Sequence, residues 1–596
     1  MTGSISQTAT LTTIASLSSS DGIDPSGVVF NAAGDLIGTG NGTGVSGSLG
    51  AIFEILTNNG TFNPTPQILV TFKGSDGQNP FGGVVVDSNG NLVGTTSQGG
   101  TSSAGTVYEV APSATSATGY AADTTILTSF NNSITLSKNN GDLPETGLTA
   151  DSKGNLFGTT NSGGASGFGE VFEITNTSGV YATTPKIIAS FPGVATENPS
   201  NSLLIDSAGD IFGTTSSGSG GLISGEIYEI GAGSSSITVL ATFNGTTTTI
   251  NPTGAAATPN GAMVEDSKGD LFGVTTNGGT SGLGTVFELV RNGNVYASAP
   301  TILVNFNGTN GQAPKGGLLI DALGNLFGTT SAGTSGSSAQ YGSVFELQNN
   351  GTSYASTPLT LASFLGGTAG FAPESSLTVD KSGDLFGTTY YGGPTDYGTV
   401  FEVTNTGFAT TACYREGTML ATPSGERAVE TLRAGDLVIT HSGAARPILW
   451  IGHRTIDCRT HASPTDVWPV RIHVDAFGEG LPVRDLFISP DHAVFVDGVL
   501  IPARSLVNDV NVVQMPCDVV RYFHVATETH DVVLAEGLPS ETLLDLDMPE
   551  RFDNAPTTPL QSGWLTPYAP VITQGIRLER VRNQLFATAK QAEAVS

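Results

Sequence analysis

Residues 321–330 read DALGNLFGTT, and residues 342–347 read GSVFEL. Both phrases recur along the chain. The first returns as AAGDLIGTG at 32–40, DSNGNLVGTT at 87–96, DSKGNLFGTT at 151–160, DSAGDIFGTT at 206–215, DSKGDLFGVTT at 266–276 and DKSGDLFGTT at 380–389. The turn glycines Gly34, Gly90, Gly154, Gly209, Gly269, Gly324 and Gly383 are spaced by 56, 64, 55, 60, 55 and 59 residues. Each copy is preceded by an apolar stretch such as IIASF or ILVNF and followed by a G-T-V-F-E-L-like phrase. One unit therefore reads as four short strands: I-L-x-S-F, G-G-L-x-x-D, N-L-F-G-T-T and G-T-V-F-E-L. The D-S-x-G-N stretch between the second and third is hairpin chemistry, because Asp bonds back to the backbone while Gly and Asn tolerate positive φ. Alternating apolar positions give each strand one packing face. Seven four-stranded units of this length predict a β-propeller, which hides its sheet edges by radial closure. A solenoid, the competing geometry, is built from shorter repeats.

Composition agrees with an all-β chain of more than one domain. Glycine contributes 79 of 596 residues, about twice the usual 7 % share, and Gly is a poor helix former. The net charge of −29 repels phosphate and argues against a nucleic-acid partner. No apolar run approaches the length that spans a bilayer, so no transmembrane segment is expected. The first basic residue is Lys73, so no positively charged signal region opens the chain. The expectation is an extracellular or cell-surface protein reached by a signal-less export route, with the cytoplasm as the alternative. Three cysteines do not make a disulfide framework.

The alphabet changes near residue 410. All seven histidines, all three cysteines and all three tryptophans lie beyond it. Before Cys413 there are 8 basic and 29 acidic side chains; from Cys413 onward there are 15 and 23. The expected organisation is a repeat region over 1–403, a polar linker over 404–412, a second domain over 413–550, and a tail over 551–596. The tail carries an amphipathic helix between Gly575 and Ala592, read as docking on the second domain, with contact to an anionic membrane as the other option.

The repeat core, G-[ND]-L-F-G-T-T followed by G-x-G-T-V-F-E, resembles the GloVer-type tandem repeat of bacterial surface and exported proteins. The resemblance covers about residues 10–403 and implies no particular activity. This region has neither His nor Cys, hence no imidazole base and no thiol nucleophile. Its turn aspartates (Asp87, Asp151, Asp206, Asp266, Asp321 and Asp380) are read as closing hairpins. Calcium is the weaker reading, because it asks for six or more oxygens. No metal and no cofactor are expected. A carbohydrate or protein ligand in a propeller channel is open.

The second region reads CYREGTMLATPSG at 413–425, VETLRAGDLV at 429–438, ISPDHAVFV at 488–496, GVLIPARSL at 498–506, YFHV at 522–525 and HDVVLAEG at 530–537. These blocks resemble, in order, the Hint domain shared by hedgehog autoprocessing domains and inteins, in its bacterial branch. The resemblance implies an all-β domain followed here by a short C-terminal helix. It also implies a single-turnover, self-processing reaction. The Cys413 thiol attacks the Ala412 carbonyl through a five-membered ring, an intramolecular step. The scissile bond is then Ala412–Cys413 and the product a thioester. His492 protonates the departing amine and Ser489 holds the carbonyl or amide. His524 and His530 are further candidates by block position. The acyl acceptor is water, a thiol, an amine or a lipid alcohol. Cys458 and Cys517 are read as small buried hydrophobes, Asp436 and Asp491 as turn residues, and His441, His453, His461 and His473 as loop or surface residues.

Two departures stand out. The stretch Glu536–Leu544, which corresponds to the closing His-Asn of inteins, holds no Asn, which argues against two-sided splicing, and Phe523 stands where the family often has an acid. Two rival functions are a pure interaction protein with an inert Hint module, and a propeller enzyme acting on a polysaccharide. The latter needs paired carboxylates in a channel.

Overall fold

The computed structural model describes residues 9–542 and, near the C-terminus, 580–582, 584, 585 and 588. Breaks fall at 20–21, 43–48, 59–60, 117, 132–140, 152, 193–198, 200, 217–224, 244–256, 267, 294, 322–323, 334–340, 350–352, 381–382, 405, 407–412, 460–466, 479, 491, 509 and 528–530. The described chain is nearly all β. Through residue 404 it holds seven main sheets of four or five antiparallel strands, besides small two-stranded hairpins.

A typical sheet runs Val85–Val86, Leu92–Thr96, Thr106–Val110, Thr125–Ser129 in spatial as well as chain order. The I-L-x-S-F strand thus closes the sheet of the copy before it, and the sheets are offset by one strand from the repeat as read in sequence. The first such strand, Thr10–Ser16, does not close the sheet of a copy before it. It pairs instead with Thr399–Thr404, completing the last sheet with Leu385–Tyr391. The physical reason is the edge: an outer strand is needed by every sheet, and the N-terminal segment supplies the missing one.

The repeated phrases meet in register. Gly94 of the first lies opposite Tyr108 of the second, and Gly328 opposite Phe345. A side chain at Gly328 would collide with the Phe345 ring, so the mid-strand glycine is what admits the large aromatic. The predicted turns form. The Asp87 carboxylate accepts bonds from the Asn89 and Asn91 amides at 2.8 Å each and from the Asn91 side chain at 2.9 Å. Asp151, Asp206, Asp266, Asp321 and Asp380 also accept backbone bonds within their turns.

Successive sheets interlock by one device. A glycine ahead of each V-F-E strand lies so close to a proline of the next sheet that a methyl group there would strike its ring: Gly50 on Pro80, Gly105 on Pro144, Gly169 on Pro199, Gly225 on Pro259, Gly284 on Pro314, Gly342 on Pro373, and Gly398 on Pro25. Threonine hydroxyls run in parallel, from Thr95 to the Thr146 carbonyl at 2.7 Å and from Thr388 to the Pro25 carbonyl at 3.0 Å. The last of each series returns to the first sheet.

From Cys413 onward two further sheets share one core. The seven-stranded sheet has the order Leu437–Ile439, Ala445–Asp457, Val519–Thr527, Tyr414–Arg415, Leu486–Ile488, Val470–Ile472, Val512–Gln514. The six-stranded sheet has the order Gly425–Ala428, Met419–Thr422, Val532–Ala535, Leu538–Glu541, Ala493–Val496, Val499–Pro502. Ile448, Val470 and Val525 of the first pack with Leu420, Val494 and Val533 of the second. Val581 and Leu585, on the described helical residues of the tail, are wholly buried in the same core. The Asn511 side chain donates to the Leu585 carbonyl at 3.0 Å, and Arg582 donates to the Ser505 carbonyl at 2.8 Å.

Candidate functional site

The short strand Tyr414–Arg415 lies between two neighbours, and register fixes what flanks the residue before it. Tyr414 is opposite Phe523 on one side and Ile488 on the other. One step back, Cys413 therefore faces His524 on one side and Ser489 on the other. The side chains follow. Cys413 Sγ lies 2.7 Å from His524 Nε2. The Cys413 N–H donates to Ser489 Oγ at 3.0 Å, and the Ser489 N–H donates to the Cys413 carbonyl at 2.9 Å. Cys413, His492 and His524 are wholly buried and Ser489 nearly so. This dry setting strengthens every charge interaction in it.

His492 belongs to the turn after Leu486–Ile488. Its N–H donates to the Ser489 carbonyl at 3.1 Å, and its ring packs on Tyr414 at 4.3 Å between centroids. Tyr414 is anchored in turn by its hydroxyl on the Glu541 carbonyl at 2.7 Å. The alternation of Val519–Thr527 decides which residue reaches Cys413. Tyr522 and His524 share one face, and Phe523 takes the other. Burial, and next the Cys413 sulfur, push the Tyr522 phenol well above its ordinary range, so it stays a neutral hydroxyl donating to the Val467 carbonyl at 2.8 Å.

Arg454 is a member of this site that sequence reasoning missed. It is 5 % exposed, and Nη2 lies 3.9 Å from Cys413 Sγ. The strand Ala445–Asp457 carries two arginines, Arg446 near its start and Arg454 near its end, and sequence alone does not say which of them turns toward Cys413. His453, expected on a loop or the surface, is instead half-buried on that strand opposite Phe523, because the strand runs through it without a break. His441 is exposed in a turn. His473 is half-buried, 4.0 Å from Asp485. Asp436 accepts from the Arg433 amide and pairs with Arg427 at 3.0 Å. Ala412, His461, Asp491 and His530 lie outside the described residues. Among the described residues no cluster of three or more His, Cys, Asp or Glu has metal-binding geometry, and no helix is long and apolar enough to cross a membrane.

These features define an all-β chain in which repeated four-stranded sheets precede a two-sheet module with a buried Cys–His pair. The chain belongs to the Gloeobacter/Verrucomicrobia repeat family, which it matches over residues 4–133 and 247–442, and it carries a Hint domain over residues 412–547. The two matches overlap from 412 to 442. The sheets divide within the gap between Thr404 and Tyr414. No curated protein matches the sequence. Similar solved structures include a gluconolactonase from Xanthomonas campestris, at 13 % identity over 53 % of this chain and 83 % of that one, TM-score 0.31. Another is the calcium-binding protein regucalcin from Agrobacterium tumefaciens, at 12 % identity over 54 % and 89 %, TM-score 0.31. A third is a PQQ-bound aldose sugar dehydrogenase from Streptomyces coelicolor, at 13 % identity over 57 % and 97 %, TM-score 0.32.

Proposed function

We propose that the Hint domain cleaves its own chain between Ala412 and Cys413 by a Cys-dependent N-to-S acyl shift, releasing or transferring a seven-bladed β-propeller. The observation that carries this reading is the 2.7 Å approach of Cys413 Sγ to His524 Nε2. The seven sheets and the return of the last Gly–Pro contact to Pro25 support the propeller.

The steps follow from the site. His524 takes the thiol proton, and the Arg454 guanidinium attracts the charge that forms on sulfur. The sulfur attacks the Ala412 carbonyl. A carbon–sulfur bond forms, the carbon–nitrogen bond to Cys413 breaks, and the nitrogen leaves with a proton from His492. The Ser489 hydroxyl, 3.0 Å from that nitrogen, orients it. Water, a thiol, an amine or a lipid alcohol then takes the acyl group from sulfur. The turnover is single because the nucleophile is part of the substrate. The acidic, cysteine-free repeat region suits a passenger exported to the cell surface or beyond.

The test is the intact mass of wild type and Cys413→Ala, each incubated with dithiothreitol. Wild type of 60.8 kDa splits into about 42 and 19 kDa by residue share, faster with thiol, and the variant stays whole. A wild-type chain that remains intact for days with thiol overturns the reading and leaves the Hint domain as an inert structural module.

A further inference from the structure

Cys458 and Cys517 are 59 residues apart in sequence, yet their sulfurs lie 3.8 Å apart. Cys458 directly follows the strand Ala445–Asp457, and Cys517 stands two residues before Val519–Thr527. These strands pair in register up to Asp457 and Val519, and the Cys458 N–H extends the ladder with a 2.8 Å bond to the Asp518 carbonyl. A disulfide has its sulfurs about 2 Å apart, so the two sulfurs need to approach by only about 2 Å to bond. Cys458 is 2 % exposed and Cys517 is half-buried. One thiol is thus reachable from solvent and the other waits behind it. Both pack in one cluster with Cys413, Val467, Val520 and Tyr522.

We propose that Cys458 and Cys517 are a redox-responsive dithiol that closes to a disulfide when a small-molecule disulfide reaches it. The Cys517 thiolate attacks the oxidant, forming a mixed disulfide and expelling one thiolate. The Cys458 thiolate then attacks the Cys517 sulfur and expels the second. Two protein thiols are oxidised, one disulfide is reduced to two thiols, and the two protein protons pass to the departing thiolates or to solvent. The bond ties together the two strands that carry Arg454 and His524, the groups nearest the Cys413 sulfur. The pairing stands independently of whether Cys413 cleaves the chain.

The experiment uses the full chain with Cys413→Ala, so that cleavage cannot interfere. The native protein is treated with oxidised glutathione, then alkylated, digested and analysed by mass spectrometry. The expected product has lost two hydrogens, retains no glutathione, yields a peptide linking Cys458 to Cys517, and reverts with dithiothreitol. Adding Cys458→Ser leaves one glutathione held on Cys517. In wild type the same link forms while Cys413 alkylates as a thiol. Full alkylation of both cysteines after oxidant, a glutathione on each, or a link to Cys413 overturns the proposal.

Discussion

Cys413 and His524 are cross-strand neighbours whose side chains meet, sulfur to Nε2, at 2.7 Å in a buried site. In the proposed reaction that pairing makes His524 the acceptor of the thiol proton. His524→Gln is expected to slow thiol-induced cleavage by about 10²- to 10⁴-fold, the usual worth of a positioned acid or base. The check is a gel time course with dithiothreitol, alongside circular dichroism to verify the fold. An unchanged rate would remove His524 from the path.

In the proposed reaction Ser489 and His492 serve the departing nitrogen rather than the attacking sulfur, so their loss is expected to affect a different step. Ser489→Ala removes the oxygen that accepts the Cys413 N–H and is expected to slow cleavage by about 10- to 100-fold, in line with one lost hydrogen bond of roughly 1–3 kcal/mol. His492→Gln removes the proton donor and is expected to cost more. Rates for both, measured at saturating thiol, order the two contributions.

The repeats are expected to be more stable in mild acid. Glu54, Glu265, Glu346 and Glu402 are pushed up to about 7, burial being the largest cause and Asp35, Asp206, Asp321 and Asp380 respectively the next. In the unfolded chain each titrates near the ordinary value of about 4.3. Between these limits the native state binds more protons than the unfolded one. The contribution is therefore full below the unfolded value and lost as pH rises through 7. The melting midpoint of the repeat region should be higher at about pH 5 than at about pH 8. Glu346→Gln should raise the alkaline midpoint and narrow the difference. Equal midpoints would show that the carboxyls titrate normally.

The tail is expected to hold the Hint domain together. Leu585→Ala empties a wholly buried position and should cost about 2–5 kcal/mol, seen as a lower urea midpoint in the Hint transition. Leaving that midpoint unmoved would detach the tail from the core.

The proposed closure of the sheets into a propeller has its own test. Gly398 has φ +95° and sits against Pro25, so Gly398→Ala combines backbone strain with a collision and should cost about 1–3 kcal/mol. Thr388→Ala, which removes the bond to the Pro25 carbonyl together with a buried methyl group, should cost about 1–2 kcal/mol. Thermal melts of the repeat region compare the two.

The repeats were legible because one device is written seven times, and repetition turns a weak strand pattern into a strong one. Their phase was not: IIASF reads as the start of a unit, but hydrogen bonding gives it to the sheet before. Local sequence carries no mark of which neighbour a strand will join. Cys413, Ser489 and His492 were legible as candidates because the blocks run in order. His524 could be ranked only after register set it beside Cys413. Arg454 and the Cys458–Cys517 contact come from pairing two strands about sixty residues apart, which spacing alone does not encode.

The pairing of Thr10–Ser16 with Thr399–Thr404 also orders events during synthesis. The last repeat sheet gains its outer strand only once residue 404 has been made, and Cys413 is nine residues further on. The repeat region can therefore latch shut before the Hint domain, whose strands run on to Glu541, has been fully synthesised. The cut proposed after Ala412 would then break no strand of the latch and would free a finished object rather than an unravelling end.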